Sequence, residues 1–362
     1  MSWPTPQEYN EALQNPRLCF ADEELKAGSV LLDKLHLPKA TTGSFASVYS
    51  ITCGDKRYAV RCFLHKVPDL AARYERLSKA ICADTLEYTV DFQYQVEGIR
   101  IGSRSYPLVK MPWVEGQHLD VFIHRHRENR DKLSQLQVAL RRMSTQLLES
   151  GFAHGDLQHG NILIGDQGVR LIDYDGMYVP ALCGFLSNEL GHRNYQHPGR
   201  SKEHFNAMLD NFALWVIDTS LTCFIEDSSL VERTRGFESL LFRRPDFANP
   251  AESATFLLLE THDNETIRTA SRMLRTVISC LPHNVPPLSA DIPQAPELAA
   301  IVKASAGGGA CGGSKAGRRG SRSGSGRGSR GTHHRSASAG RSGSSRGCRR
   351  QEQNACASRL VG

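Results

Sequence analysis

The chain has 362 residues, 40% of them hydrophobic, which is enough for a substantial core and for two lobes. Of its 44 Lys and Arg, 13 lie from Lys303 onward, against one of its 38 acids, Glu352; residues 1–302 therefore carry 31 bases and 37 acids, a net of about −6, and the tail about +12. A uniformly basic, nucleic-acid-binding body is excluded, and any contact with RNA or an acidic partner belongs in the tail.

The ten cysteines are scattered, without a CxxC pair or zinc-site spacing, which reads as reduced thiols in a cytoplasmic protein. Met1-Ser2-Trp3-Pro4-Thr5-Pro6 has no basic or apolar signal segment. The longest apolar run, near 212–224, is short and broken by Asp218, so no membrane span is expected.

In chain order, residues 1–23, with Pro4, Pro6 and Pro16, read as an N-terminal extension. A strand-rich lobe follows over 24–112. Strands at 46–51 and 57–63 flank the turn Cys53-Gly54-Asp55-Lys56, a helix covers 69–83, and further strands lie at 89–96 and 107–111. A helix-rich lobe follows over 113–285. Leu136, Leu140, Met143, Leu147 and Leu148 recur at helical spacing within 133–151. Ile162-Leu163-Ile164 and Val169-Arg170-Leu171-Ile172 form a hairpin around Gly165-Asp166-Gln167-Gly168. A proline-rich linker spans 286–302. From 303 to 362 the Gly, Ser and Arg content buries too little apolar area to offset chain entropy, so a disordered tail is expected.

The chemistry concentrates in His154-Gly155-Asp156-Leu157-Gln158-His159-Gly160-Asn161 and Leu171-Ile172-Asp173-Tyr174-Asp175-Gly176. An Asp, an Asn five residues on and a second Asp twelve residues later are the groups that phosphoryl transfer from ATP uses. One carboxylate orients or deprotonates the acceptor hydroxyl, and an amide oxygen and a second carboxylate hold Mg²⁺. These segments resemble the catalytic and metal-binding loops of the protein-kinase-like superfamily. The resemblance implies Asp156 as catalytic base and Asn161 and Asp173 as metal ligands. It makes Thr41-Thr42-Gly43-Ser44-Phe45-Ala46-Ser47-Val48 the glycine-rich loop, with only the middle glycine kept; Gly43, Ser44, Phe45 and Val48 then face ATP. Arg61 stands where the family has its phosphate-contacting lysine, and Glu75 is its helical ion-pair partner. Leu108 to Gly116 becomes the hinge, with Met111, the Pro112 carbonyl and the Val114 N–H at the adenine.

Departures from the family pattern carry information too. Gly155 replaces an arginine that pairs with phosphorylated loops, and Asp175 is an extra acid that either joins the metal site or is solvated. Gly191-His192-Arg193-Asn194-Tyr195-Gln196-His197-Pro198 resembles the end of a protein-kinase activation segment. Asp210 resembles the buried aspartate that ties down the catalytic loop; alone it would read as a helix N-cap. Small-molecule kinases generally lack these two segments. The resemblance thus implies an α+β, two-lobed fold over about 24–285, with a small antiparallel sheet and a helical lobe. ATP and Mg²⁺ would occupy the cleft, and Ser or Thr hydroxyls of a protein substrate would be the acceptors. A small-molecule kinase of the aminoglycoside or choline type, and an ATP-binding pseudokinase scaffold, are the alternatives.

Overall fold

Residues 3–288 are described by a computed structural model, apart from 44, 85, 235 and 237. The tail 303–362 and the linker beyond 288 lie outside the described residues.

The N-terminal segment is part of the first lobe. Helix α1 (Pro6–Leu13) starts with proline at its first turn and a capping box, in which the Glu8 N–H donates to the Thr5 hydroxyl and the Thr5 N–H to the Glu8 carboxylate at 2.8 Å. Two short helices follow, α2 (Pro16–Cys19) and α3 (Glu23–Lys26), the latter capped by Asp22. Then come strands β1 (Ser29–Val30), β2 (Ala40–Thr42), β3 (Ala46–Cys53) and β4 (Lys56–Phe63), helix α4 (Leu70–Asp84), and strands β5 (Gln93–Ile101) and β6 (Arg104–Pro112). The sheet is antiparallel in the order β1-β3-β4-β6-β5, with β2 also on β3.

Alternation along the strands assigns the two faces of this sheet. Tyr49, Ile51, Val60, Cys62 and Leu108 point to one face and are buried with Tyr9, Leu13, Cys19, Phe20 and Leu25 of the N-terminal helices. Lys110 lies on that face, 5% exposed, with its ammonium 3.1 Å from Asp22 and 2.7 Å from Glu24. The segment expected as an extension thus closes one face of the sheet. The other face carries Val48, Ala59, Arg61, Val109 and Met111, aligned through the pairs Val48↔Arg61, Arg61↔Val109 and Ala59↔Met111. Helix α4 packs on this side through Leu70, Tyr74, Leu77 and Ile81, which belong to the same core as the second lobe.

The strand expected at 89–96 begins only at Gln93. Upstream, the Tyr88 carbonyl accepts from the Leu171 N–H at 2.8 Å, and the Val90 N–H donates to the Tyr174 hydroxyl at 2.7 Å. Backbone groups already bound to the other lobe are not free for the sheet.

The second lobe contains β7 (Gln117–His118), α5 (Leu119–His126), α6 (Arg130–Glu149), the hairpin β8 (Ile162–Gly165) and β9 (Gly168–Leu171), and helices α7 (Asn211–Glu226), α8 (Arg244–Ala248), α9 (Ala254–Glu260) and α10 (Glu265–Ile278). Helix α7 is the apolar run read from the sequence, buried along most of its length. Its Asp218 is held by Arg141 of α6 in two bonds of 2.7 and 3.0 Å, a fork on a carboxylate that makes the buried charge tolerable. The body continues past 285: the Trp215 indole N–H donates to the Pro286 carbonyl at 2.9 Å, and Leu288 is buried. Among the described residues, no helix is long and apolar enough to cross a membrane, and no disulfide links the cysteines. A sheet lobe with one packed helix, joined through 113–116 to a helical lobe in which β7, α5 and α6 precede the β8–β9 hairpin, is the two-lobed arrangement that the resemblance implied.

Candidate active site

The loop from His154 to Asn161 is fixed from beneath. Asp210 stands at the start of α7 but makes no side-chain cap there. Instead one oxygen accepts from the His154 N–H and the other from the Gly155 N–H at 2.8 Å. Gly155 has φ +80°, and a Cβ there would lie 2.0 Å from the Gly176 carbonyl oxygen. Only glycine permits this left-handed turn and lets the backbone after Asp173 lie directly on the 154–161 loop. That is why no arginine stands at 155. The His154 Nε2 is 2.9 Å from the Ile172 carbonyl, which can only accept, so Nε2 carries the proton and Nδ1 accepts from the Asp156 N–H at 3.4 Å. The Ile172 N–H donates back to the Asn161 carbonyl at 3.1 Å, and the two chemistry-bearing loops become one unit.

Asp156 is held on both oxygens. The Asn161 amide donates to Oδ2 at 3.0 Å and to the Asp156 carbonyl at 2.9 Å, and the His192 N–H donates to Oδ1 at 2.5 Å. This approach needs Gly191, whose φ is +71° and whose Cβ would lie 2.8 Å from Asp156 Oδ1. Burial pushes the Asp156 carboxyl up and the charge of Asp173 adds to this, against the pull of the His192 N–H. Asn161 spends its amide nitrogen on Asp156, which leaves its Oδ1 as the atom able to ligate a cation.

Arg61 reaches across the cleft from β4. Its Nη1 lies 2.9 Å from Asp173 Oδ1, and its Nη2 donates to Asp175 Oδ2. Tyr74 of α4 donates its hydroxyl to Asp175 Oδ1. Burial opposes the Arg61 charge, but Asp173 and Asp175 together hold its guanidinium above the ordinary arginine range. Burial pushes the Asp175 carboxyl up against the same attraction, yet donors on both its oxygens are the arrangement of a carboxylate.

Glu75, expected as the partner of Arg61, does not take part. It is largely exposed and bound to Lys79 at 2.7 Å. Leu70, Tyr74, Leu77 and Ile81 set the buried stripe of α4, so position 75 turns about 100° away from it. Asp175, left open between metal site and solvent, is not solvated: its side chain is 12% exposed, and Arg61 and Tyr74 donate to its two oxygens.

Asp173 adopts φ +68°, a region that Asp enters at modest cost. Although 2.9 Å from Arg61, its Oδ1 is not in hydrogen-bonding geometry with that or any other described donor, and it is buried. A buried carboxylate oxygen with charge contact but no hydrogen bond fits a hard cation. Asp173 with the Asn161 oxygen is a donor set suited to Mg²⁺, which takes few protein ligands and shares substrate phosphates. Among the described residues, no group of three or more His, Cys, Asp or Glu side chains forms a ready-made cage.

On the sheet side of the cleft, Thr41 pairs with Val48 and Ala46 with Phe63, so both positions lacking the expected glycine are ladder residues. Gly43 has open space around it, with only the Ala46 carbonyl at 3.9 Å from a built Cβ; nothing internal demands a glycine there. Phe45 is 43% exposed at the tip, and Ser44 lies outside the described residues. Val48 and Met111 sit on the same sheet face as Arg61. Pro112 pairs with Tyr58, and Trp113 is pinned by its N–H to the Arg57 carbonyl at 2.8 Å and by the Arg57 guanidinium 4.1 Å above its ring.

Beyond Tyr74, two further residues escape a reading by motif. Glu189 lies against Gly176, whose Cβ would come 2.8 Å from its Oε1; burial and the charges of Asp173, Asp175 and Asp156 push its carboxyl up to about 8. Arg200 donates to the Gly155 carbonyl at 2.8 Å from behind the loop. A cavity of about 120 Å³ opens between Phe45, Tyr74, Leu77, Asp175, Met177 and Glu189.

No family model and no curated protein matches the chain. Among solved structures, it is similar to the kinase PK-1 of the Cydia pomonella granulovirus, at 15% identity and a TM-score of 0.46, over 71% of this chain and 89% of that one.

Proposed function

We propose that this chain transfers the terminal phosphoryl group of ATP to Ser or Thr hydroxyls of a protein. The observation that carries the reading is the constellation of Asp156, Asn161 and Asp173 on loops locked by Asp210, opposite a buried Arg61, with one Asp173 oxygen left without a hydrogen bond.

Asp173 and the Asn161 oxygen would hold Mg²⁺, which when bound neutralises charge on the phosphates. Arg61 binds phosphate oxygens from the sheet side. Asp156 orients the acceptor hydroxyl and takes its proton as the acceptor oxygen bonds to phosphorus, the bond to the bridging oxygen breaks, and ADP leaves. Burial that lifts the Asp156 carboxyl makes it a better base than a solvated aspartate. A protein acceptor is favoured over a small alcohol by the segment 191–198, whose His192 N–H reaches Asp156 itself.

The test is a transfer assay with labelled ATP and the full chain, offered generic proteins, the chain itself and small alcohols, with Mg²⁺ or EDTA. Label on protein Ser or Thr that needs Mg²⁺ is expected. Label on small alcohols alone would favour the aminoglycoside- or choline-type reading, and ATP binding without any transfer the scaffold reading.

A further inference from the structure

We propose that Asp175 is the positioning residue for Arg61, doing from the metal-binding loop what a carboxylate on helix α4 was expected to do, and that this pairing is what frees Asp173 for a divalent cation. The inference rests on the nucleotide-binding reading of the cleft.

Arg61 has two carboxylates within 4 Å, Asp173 and Asp175, and no third that close among the described residues. The two differ in what else they do. Asp175 is saturated, with Arg61 on one oxygen and the Tyr74 hydroxyl on the other, and its side chain is 12% exposed. Asp173 is 33% exposed, and its Oδ1 meets Arg61 at 2.9 Å as a charge contact alone, without hydrogen-bond geometry. The saturated acid is the anchor, and the unsaturated one is available for exchange.

The anchor is rigid because Tyr74 is. Its ring stacks on Tyr94 at 5.2 Å and meets Phe92 and Phe63 edge-on at 5.4 and 5.9 Å. One carboxylate thereby joins α4, β4 and the loop after β9. The fork of an arginine serves two acids at once, where the single ammonium of a lysine would have to choose. When Asp173 turns to a cation, Arg61 loses one counter-ion but keeps the other. Without Asp175, cation binding would strand a buried guanidinium, and Arg61 would compete with the metal for Asp173.

The experiment uses the full chain and compares it with Asp175→Asn and Tyr74→Phe. ATP affinity is measured by calorimetry in EDTA and across a Mg²⁺ titration, with the ATP-induced rise in melting temperature as a second readout. Asp175→Asn should raise the half-saturating Mg²⁺ concentration at least about tenfold and change ATP affinity in EDTA far less. Tyr74→Phe, which removes one of the two donors to Asp175, should raise it about two- to fivefold. Unchanged Mg²⁺ dependence in both variants overturns the proposal. So does an equal loss with and without metal, the mark of general damage. If Asp175→Asn does not fold, Tyr74→Phe decides alone: a Mg²⁺-specific shift supports the pairing and no shift overturns it. An unmodified chain without Mg²⁺-dependent ATP binding overturns both this inference and the functional reading, whereas normal binding with indifferent variants overturns the inference only.

Discussion

The two walls of the cleft were assembled under different constraints. The helical-lobe wall draws Asp156 and Asn161 from one loop of eight residues, with Asp173 a hairpin away. Short contacts within that wall bring them together: the Asn161 amide donates to Asp156, and the Ile172 N–H, next to Asp173, donates to the Asn161 carbonyl. The sheet-lobe wall draws Arg61 from a strand and Tyr74 from a helix, and the carboxylate that serves them comes from the other lobe. Chemistry packed into a local loop tolerates little change. A long-range ion pair needs only that some carboxylate arrive, and here Asp175 arrives in place of Glu75.

The sharpest way to break this contrast is at Asp156. Asp156→Asn keeps the shape and the Asn161 contact but removes the base. Transfer should fall about 10²–10⁴-fold with ATP affinity and melting temperature nearly constant. Intact transfer would mean that the helical-lobe wall is not the catalytic one.

Asp210→Ala tests the support beneath it. The His154 and Gly155 N–H groups would lose a buried acceptor, at about 1–3 kcal/mol each, and denaturant unfolding should read the sum. A loss under about 0.5 kcal/mol, the range of an ordinary surface substitution, would show that the loop holds itself.

Asp173→Asn should erase the Mg²⁺-dependent part of the nucleotide-induced stabilisation, worth about 2.7 kcal/mol at a hundredfold excess of ligand over Kd. A thermal shift that survives it, still metal-dependent, would move the metal elsewhere.

On the sheet-lobe wall, Arg61→Lys keeps the charge but not the fork. It should weaken Mg²⁺-ATP binding several-fold, less than Arg61→Met does; an unaffected Arg61→Lys would show that two simultaneous partners are unnecessary.

A pH dependence is expected at Glu189. Burial beside Asp173, Asp175 and Asp156 raises its carboxyl from an ordinary 4.5 to about 8. The folded chain holds that proton more tightly than the unfolded one, so the stability it contributes is complete below about pH 4.5 and is lost as pH rises through about 8. Glu189→Gln should flatten the melting temperature across that window and gain on the parent chain at its upper end. An unaltered slope would place the titration in another group.

Much of this was legible beforehand because it is periodic or contiguous. Strands β3 and β4 follow from alternation around Gly54, helix α6 from its leucine spacing, and the β8–β9 hairpin from two apolar runs around a glycine turn. The stripe Leu70, Tyr74, Leu77 and Ile81 is periodic in the same way, and it turns Glu75 outward. Glu189 and Arg200 carry no such signal, since nothing local marks a lone acid or base as buried.

The sequence by itself determined most of the strands and helices of both lobes and the loop at 154–161 with its acids, because short-range backbone geometry and hydrophobic periodicity are written residue by residue. Only the tertiary structure decided which acid meets Arg61, why glycine must stand at 155 and 191, and that the N-terminal helices close the sheet. Those outcomes depend on distances between segments far apart in the chain, where burial and charge pairing choose among several partners of the same chemical type.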